Sequence, residues 1–198
     1  MKVDVFDRME ECTEAEVEKM LPLVSGQRRE QAMRYKHTLG QFCCLKSWIM
    51  LSKQVLPPTR PRRNPSEPLS EWQKMEYNEY GKPFLPDGPF FSISHCKAGI
   101  AVVTDEKPVG IDIESIRHAE EDLIRRTMNE AEQQQIRTAE NPDRVFTRLW
   151  TQKEAIVKAQ GTGICSFEQL QSLLPDNKDY RLATTEKEKY IYTIAHKP

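Results

Sequence analysis

No stretch of this sequence comes near the roughly 18 consecutive apolar residues that a membrane-crossing helix requires, and the opening "MKVDVFDRME" carries acids where a secretory leader needs an apolar segment. The expectation is a cytoplasmic chain. An excess of either charge is also missing: 29 Lys and Arg stand against 30 Asp and Glu, a formal net charge of −1. A general nucleic-acid binder neutralises phosphates with a whole cationic face, so this balance argues against that class. Cysteine is sparse and odd in number, five residues with Cys43 and Cys44 adjacent and no C-x-x-C pair. That pattern suggests neither a disulfide framework nor a zinc site, and the thiols read as small buried hydrophobes. No internal repeat is visible.

What is present is a globular composition, 38% hydrophobic over 198 residues, enough for one generous domain or two small packed lobes. The first third reads as helical. Thr13 with Glu16 caps "TEAEVEKMLPLV", Ser25 and Gly26 open "SGQRREQAMRYK", and a third helix runs through "GQFCCLKSWIMLSKQVL". A loop follows, with five prolines between positions 57 and 68 and Arg60, Arg62 and Arg63 among them. Strand patterns then dominate: "WQKMEYNEY", "FFSISH", "GIAVVTD" and "VGIDIE" are short β runs separated by turn residues. From about Glu120 to Gln160 the helical period returns, with a capping signal at Asn129 and Glu132 and a break at "NPDR". The tail "KYIYTIAHK" alternates as a strand does.

Three segments carry candidate chemistry. In "VGIDIES", Asp112 and Glu114 project to one face of a strand while Ile111 and Ile113 project to the other. Two carboxylates so close repel one another and resist burial unless a cation sits between them. In "WTQKEAIVKAQGTGI", Glu154 and Lys158 share a helix face at four-residue spacing, whereas Lys153 points about 100 degrees away. In "FSISHCKAGIAVV", His95 and Lys97 stand just past an apolar strand. Taken singly, each has a plain reading: a solvated Glu–Lys pair, a strand end facing water, a structural histidine.

Their order changes this. "GKPFLP", "FSISH", "VGIDIE" and "WTQKEAIVKAQGTG", spread over roughly Gly81 to Ile164, together resemble the 4'-phosphopantetheinyl transferase superfamily. The resemblance implies transfer of 4'-phosphopantetheine from coenzyme A to a serine of an apo acyl or peptidyl carrier protein, with release of 3',5'-ADP. It implies magnesium held by Asp112, Glu114 and Glu154, a fit for a hard cation that takes carboxylates plus substrate phosphates; manganese accepts the same oxygen ligands. It makes Glu154 and Lys158 catalytic, the lysine neutralising phosphate oxygens, and leaves the general base open between Glu154 and a water on the ion. Lys82, His95, Lys153, Lys158 and Arg34 match positions that bind the coenzyme.

Length resembles the longer, monomeric, surfactin-synthetase-activating type. The implied fold is α+β: two pseudo-symmetric α/β lobes with antiparallel sheets packed by helices. A first lobe, residues 1–105, holds helices, the Pro-rich basic loop 57–68 and strands; a second, 106–198, carries the metal and catalytic motifs. The chain departs from the family pattern at Ser92 and Cys96 around His95, and at Thr127 and Met128, where an aromatic pair stands in the carrier-docking region. A non-catalytic coenzyme A or carrier-binding module is the alternative reading, and a metal-dependent phosphohydrolase a third.

Overall fold

The computed structural model describes residues 1–55, 75–164 and 166–198. The proline-rich loop 57–68 expected from the sequence lies outside the described residues. Of the expected helices, α1 (Glu14–Met20) starts where the Thr13 side chain accepts from the Glu16 backbone N–H, and α2 (Gly26–Met33) where Ser25 accepts from that of Arg28. The third, α3, spans Thr38–Val55. One element here was not foreseen. Lys2–Phe6 forms strand β1, although the first third of the sequence reads as helical.

Short strands β2 (Glu76–Tyr77) and β3 (Pro83–Phe84) form a two-stranded ribbon of their own. Strands β4 (Phe90–Cys96) and β5 (Gly99–Asp105) make a tight hairpin, and β1 adds antiparallel to the far edge of β5 with Lys2 opposite Thr104. The result is a three-stranded sheet ordered β1-β5-β4. A second three-stranded antiparallel sheet, ordered β6-β8-β7, is built from β6 (Val109–Ser115), β7 (Arg181–Glu186) and β8 (Tyr190–His196). Helices α4 (Glu121–Thr127), α5 (Glu130–Arg137), α6 (Pro142–Gln160) and α7 (Phe167–Ser172) complete the chain. The mixed α+β class expected from the sequence is what the molecule has.

Strand alternation decides which way everything faces. On β5, Ile100 and Val102 enter a core with Phe42, Leu45 and Trp48 of α3, whereas Ala101 and Val103 face Ile111 and Ile113 of β6. The odd positions of β6 are thereby consumed by sheet-on-sheet packing, and Gly110, Asp112 and Glu114 turn toward α6. Gly110 allows that helix to come close: a Cβ there would stand 2.0 Å from the Ala155 carbonyl oxygen. No side chain fits such a gap. Helix α6 itself is well bounded, with Pro142 in its first turn, the Asn141 side chain accepting from the Arg144 N–H, and Gly161 at φ 78° closing the C-terminus.

The two sheets do not share a backbone ladder. Side-chain hydroxyls bridge β4 to β6 instead: the Ile111 N–H donates to Ser92 Oγ at 3.1 Å, and Ser94 Oγ donates to Asp112 Oδ1 at 2.8 Å. Among the described residues, no helix is long and apolar enough to cross a membrane.

Candidate active site

Asp112 is buried, 3% exposed, and its Oδ1 receives both the Ser94 hydroxyl and the Lys158 ammonium, the latter at 2.6 Å. Lys158 also donates to Ser94 Oγ at 2.9 Å. The second oxygen of Asp112, Oδ2, is buried with no hydrogen-bond partner. A carboxylate oxygen left bare in this way is costly unless something occupies it. Glu114, two residues along the strand, and Glu154, on the facing turn of α6, line the same cavity of about 330 Å³, with His95 and Trp150.

Electrostatics mark the cavity as a place short of positive charge. Burial pushes the Glu114 carboxyl up to about 7, and the neighbouring Asp112 adds to the shift. Glu154 is raised for the same two reasons, in the same order. His95 keeps an exposed edge, yet the atoms crowding its ring lower its pKa, and the Lys158 ammonium pushes the same way. Among the described residues, no three carboxylate, thiol or imidazole groups are already gathered into a metal-holding cluster. Lys158 sits on Asp112, and the three acids remain spread around the cavity. The donor chemistry nevertheless fits magnesium: three carboxylates on one cavity, one with an orphaned buried oxygen, two with pKa values raised by lack of hydration and by mutual repulsion.

A second cavity, of about 430 Å³, adjoins the first, for Ile93, Glu154 and Lys158 line both. Its walls are mostly apolar, with Tyr80, Phe91, Val157 and Ile164 around the Gly81–Lys82–Pro83 turn. That turn is fixed to the end of α6. Asn78 Nδ2 donates to the Gly161 carbonyl at 2.9 Å and Lys82 Nζ to that of Lys158 at 2.5 Å, while burial lowers the Lys82 pKa.

The structure therefore brings Lys82, His95, Asp112, Glu114, Glu154 and Lys158 to one pair of joined cavities. It does not bring Lys153. That side chain is fully buried, its ammonium 2.8 Å from Glu132 Oε2 and hydrogen-bonded to the Leu170 carbonyl, so it cannot reach a ligand in the cleft. The physical reason is helical rotation: one residue before Glu154, it points into the packing of α5 and α7. Arg34 is exposed at the C-terminal cap of α2 and lines neither cavity. Thr127 and Met128, at the departure from the family pattern, are both fully buried. Ser94 was missed by sequence reasoning. Its only signal was its place beside His95 in "FSISH".

A cleft between a two-carboxylate strand and a Glu–Lys helix, floored by Ser94 of the Ser-Ile-Ser-His segment and closed by a Gly-Lys-Pro turn, defines a class. Residues 108–196 match the family model of the 4'-phosphopantetheinyl transferase superfamily. Among its relatives, a 4'-phosphopantetheinyl transferase of Bacillus subtilis is 29% identical over 154 residues, 75% of this chain and 65% of the relative. The Sfp protein of Bacillus subtilis (strain 168) is 24% identical over 156 residues, 77% of this chain and 66% of its own. The AcpT protein of Salmonella typhi reaches 37% identity over a shorter 118 residues, 56% of this chain and 61% of that protein. The chain thus spans just under two thirds of the length of the Bacillus relatives it matches.

Proposed function

We propose that this protein transfers the 4'-phosphopantetheine group of coenzyme A to a serine hydroxyl of an apo acyl or peptidyl carrier protein, releasing 3',5'-ADP. The observation that carries the reading is the convergence of Asp112, Glu114, Glu154, His95 and Lys158 on one cavity that opens into a larger apolar one. Relatives named as 4'-phosphopantetheinyl transferases support it.

Asp112, Glu114 and Glu154 would hold magnesium, which when bound supplies a template and a Lewis acid for pyrophosphate oxygens. Around it the chain's own groups divide the work. Lys158 leaves Asp112 for the phosphates and neutralises the charge that builds as the bond to 3',5'-ADP breaks. His95, at the cavity rim, and Lys82, on the turn, bind and orient the coenzyme. The serine oxygen forms its new bond to the β-phosphorus as the bridging oxygen departs with the ADP portion, and the serine proton passes to Glu154, which lines both cavities. Thiols at Cys12, Cys43, Cys44 and Cys96 are free, which suits the reducing cytoplasm as the compartment. The chain acts as a monomer in this reading, with one lobe over residues 1–105 and the other over 106–198.

The test is intact-protein mass spectrometry of a panel of apo carrier proteins incubated with the protein, coenzyme A and Mg2+, with EDTA and Asp112→Ala as controls. Gain of one phosphopantetheine, lost in both controls, is the expected result. Metal-dependent coenzyme binding with no carrier modified would favour a binding module, and no coenzyme binding at all would overturn the assignment.

A further inference from the structure

Helix α6 presents a polar stripe to the second sheet where apolar packing is the ordinary solution. Thr147, Thr151, Glu154 and Lys158 follow one another at helical spacing along that face, and Thr151 is 0% exposed. Opposite it on β8 stands Thr193, also 0% exposed and the direct cross-strand partner of Asp112. Residues paired across strands point to the same side, so Thr193 lies beside Asp112 on the face that meets α6.

The hydroxyls form a closed circuit. Thr151 Oγ1 and Thr193 Oγ1 are 2.9 Å apart, Thr193 Oγ1 and Thr184 Oγ1 of β7 are 3.0 Å apart, and Gln152 Nε2 donates to Thr184 Oγ1 at 3.2 Å. Thr151 also donates to the Arg148 carbonyl at 2.9 Å. Only one ordering of protons satisfies all of these bonds. Gln152 donates to Thr184, Thr184 to Thr193, Thr193 to Thr151, and Thr151 to the α6 backbone, each hydroxyl giving once and accepting once. The chain of bonds leaves α6, crosses the edge strand β7 and the central strand β8, and returns to α6.

We infer that Thr193 is a positioning residue, the keystone of a hydroxyl circuit that fixes the rotation and axial register of α6 and so sets Glu154 against Asp112. An apolar contact resists separation but tolerates sliding, whereas hydrogen bonds at two points, Thr151 with Thr193 and Gln152 with Thr184, are directional and fix both turn and rise. Glu154 follows Thr151 by three residues, on the same face, so locking one locates the other. The inference rests on the reading above that Asp112 and Glu154 share a divalent cation.

The experiment uses Mn2+ alone as probe, its binding to the full chain followed by electron paramagnetic resonance, with turnover measured beside it on wild type, Thr193→Val, Thr193→Ser and Thr151→Val. Thr193→Val keeps shape and apolar burial and removes only the hydroxyl. Its Mn2+ affinity is expected to fall about tenfold, the lower end for losing a partner outside the ligands themselves. Turnover should drop without a matching rise in KM for coenzyme A. Thr193→Ser restores both, and Thr151→Val reproduces the loss from the helix side, which keeps the test valid should Thr193→Val fail to fold. Thr193→Val or Thr151→Val binding Mn2+ as tightly as wild type, with full turnover, overturns the inference. Wild type that shows no Mn2+ binding sensitive to Asp112→Ala overturns the functional reading itself, and this inference with it.

Discussion

Two lysines on α6 stand five residues apart and each meets a buried carboxylate, yet their surroundings differ completely. Lys153 meets Glu132 at 2.8 Å with the two side chains 0% and 8% exposed; Lys158 meets Asp112 at 2.6 Å with its own side chain 29% exposed to the cavity. The first pair is sealed. Glu132 is committed twice over, because its Oε2 also accepts the Asn129 N–H as the capping box of α5. Each carboxylate keeps one buried oxygen without a hydrogen-bond partner, Glu132 Oε1 and Asp112 Oδ2, but only the second pair borders open space. A sealed pair holds helices together; an open one can exchange its partner for a substrate phosphate or a cation. Burial of the neighbours, rather than the pairing distance, separates structure from chemistry here.

The largest effect should come from breaking the sealed pair. Lys153→Met leaves Glu132 as an uncompensated buried charge, a loss of about 3–5 kcal/mol for a buried pair deprived of one partner, to be read from urea denaturation. Lys158→Ala should shift the profile: turnover falls about 100-fold, the scale for removing one group that stabilises developing charge, while the urea midpoint falls less than in Lys153→Met because the cavity beside Asp112 admits water. Equal stability losses in the two variants would erase the distinction. Magnesium sharpens it further. At a hundredfold excess over its dissociation constant it should raise wild-type stability by about 2.7 kcal/mol, an increment removed by EDTA and absent in Asp112→Ala but retained in a folded Lys153 variant. The smallest change is expected for Lys153→Met combined with Glu132→Leu. Replacing both partners by apolar groups is often neutral, so most of the loss, on the order of 3 kcal/mol, should return.

Alkaline titration separates a third group from both pairs. Burial, with the hydrogen bond to Asp7 Oδ2 at 3.0 Å, raises the Tyr190 hydroxyl to about 12. A group raised on folding stabilises fully below its unfolded value and loses that contribution as pH climbs through the folded one. Stability should therefore fall between pH 10 and about 12, and less steeply in Tyr190→Phe.

Local signals in the sequence were read well because their physics is local. Thr13, Ser25 and the Asn129–Glu132 box each act over three residues, and each caps the helix it announced. The alternation of "VGIDIE" likewise gave the facing of Asp112 and Glu114. Long-range pairings were not legible. Strand β1 exists through its register with β5, a hundred residues away; Val3 and Val5 do alternate with Lys2 and Asp4, but over only five residues whose side chains are mostly exposed. Lys153 was misplaced for a related reason. It was assigned to the coenzyme by its match to a family position, although its rotation away from Glu154 was legible, and the partner that claims it, Glu132, had already been accounted for as a cap.

The seam between β4 and β6 has a kinetic consequence. Each sheet contains a hairpin of neighbours in sequence, β4–β5 and β7–β8, which closes early because little chain must be gathered. The site is made by hydroxyls and charges that meet only when the two sheets dock, with Ser94 of one on Asp112 of the other. On refolding from urea, backbone ellipticity should return first and the capacity to bind Mn2+ last, the interval between them timing the assembly of the seam.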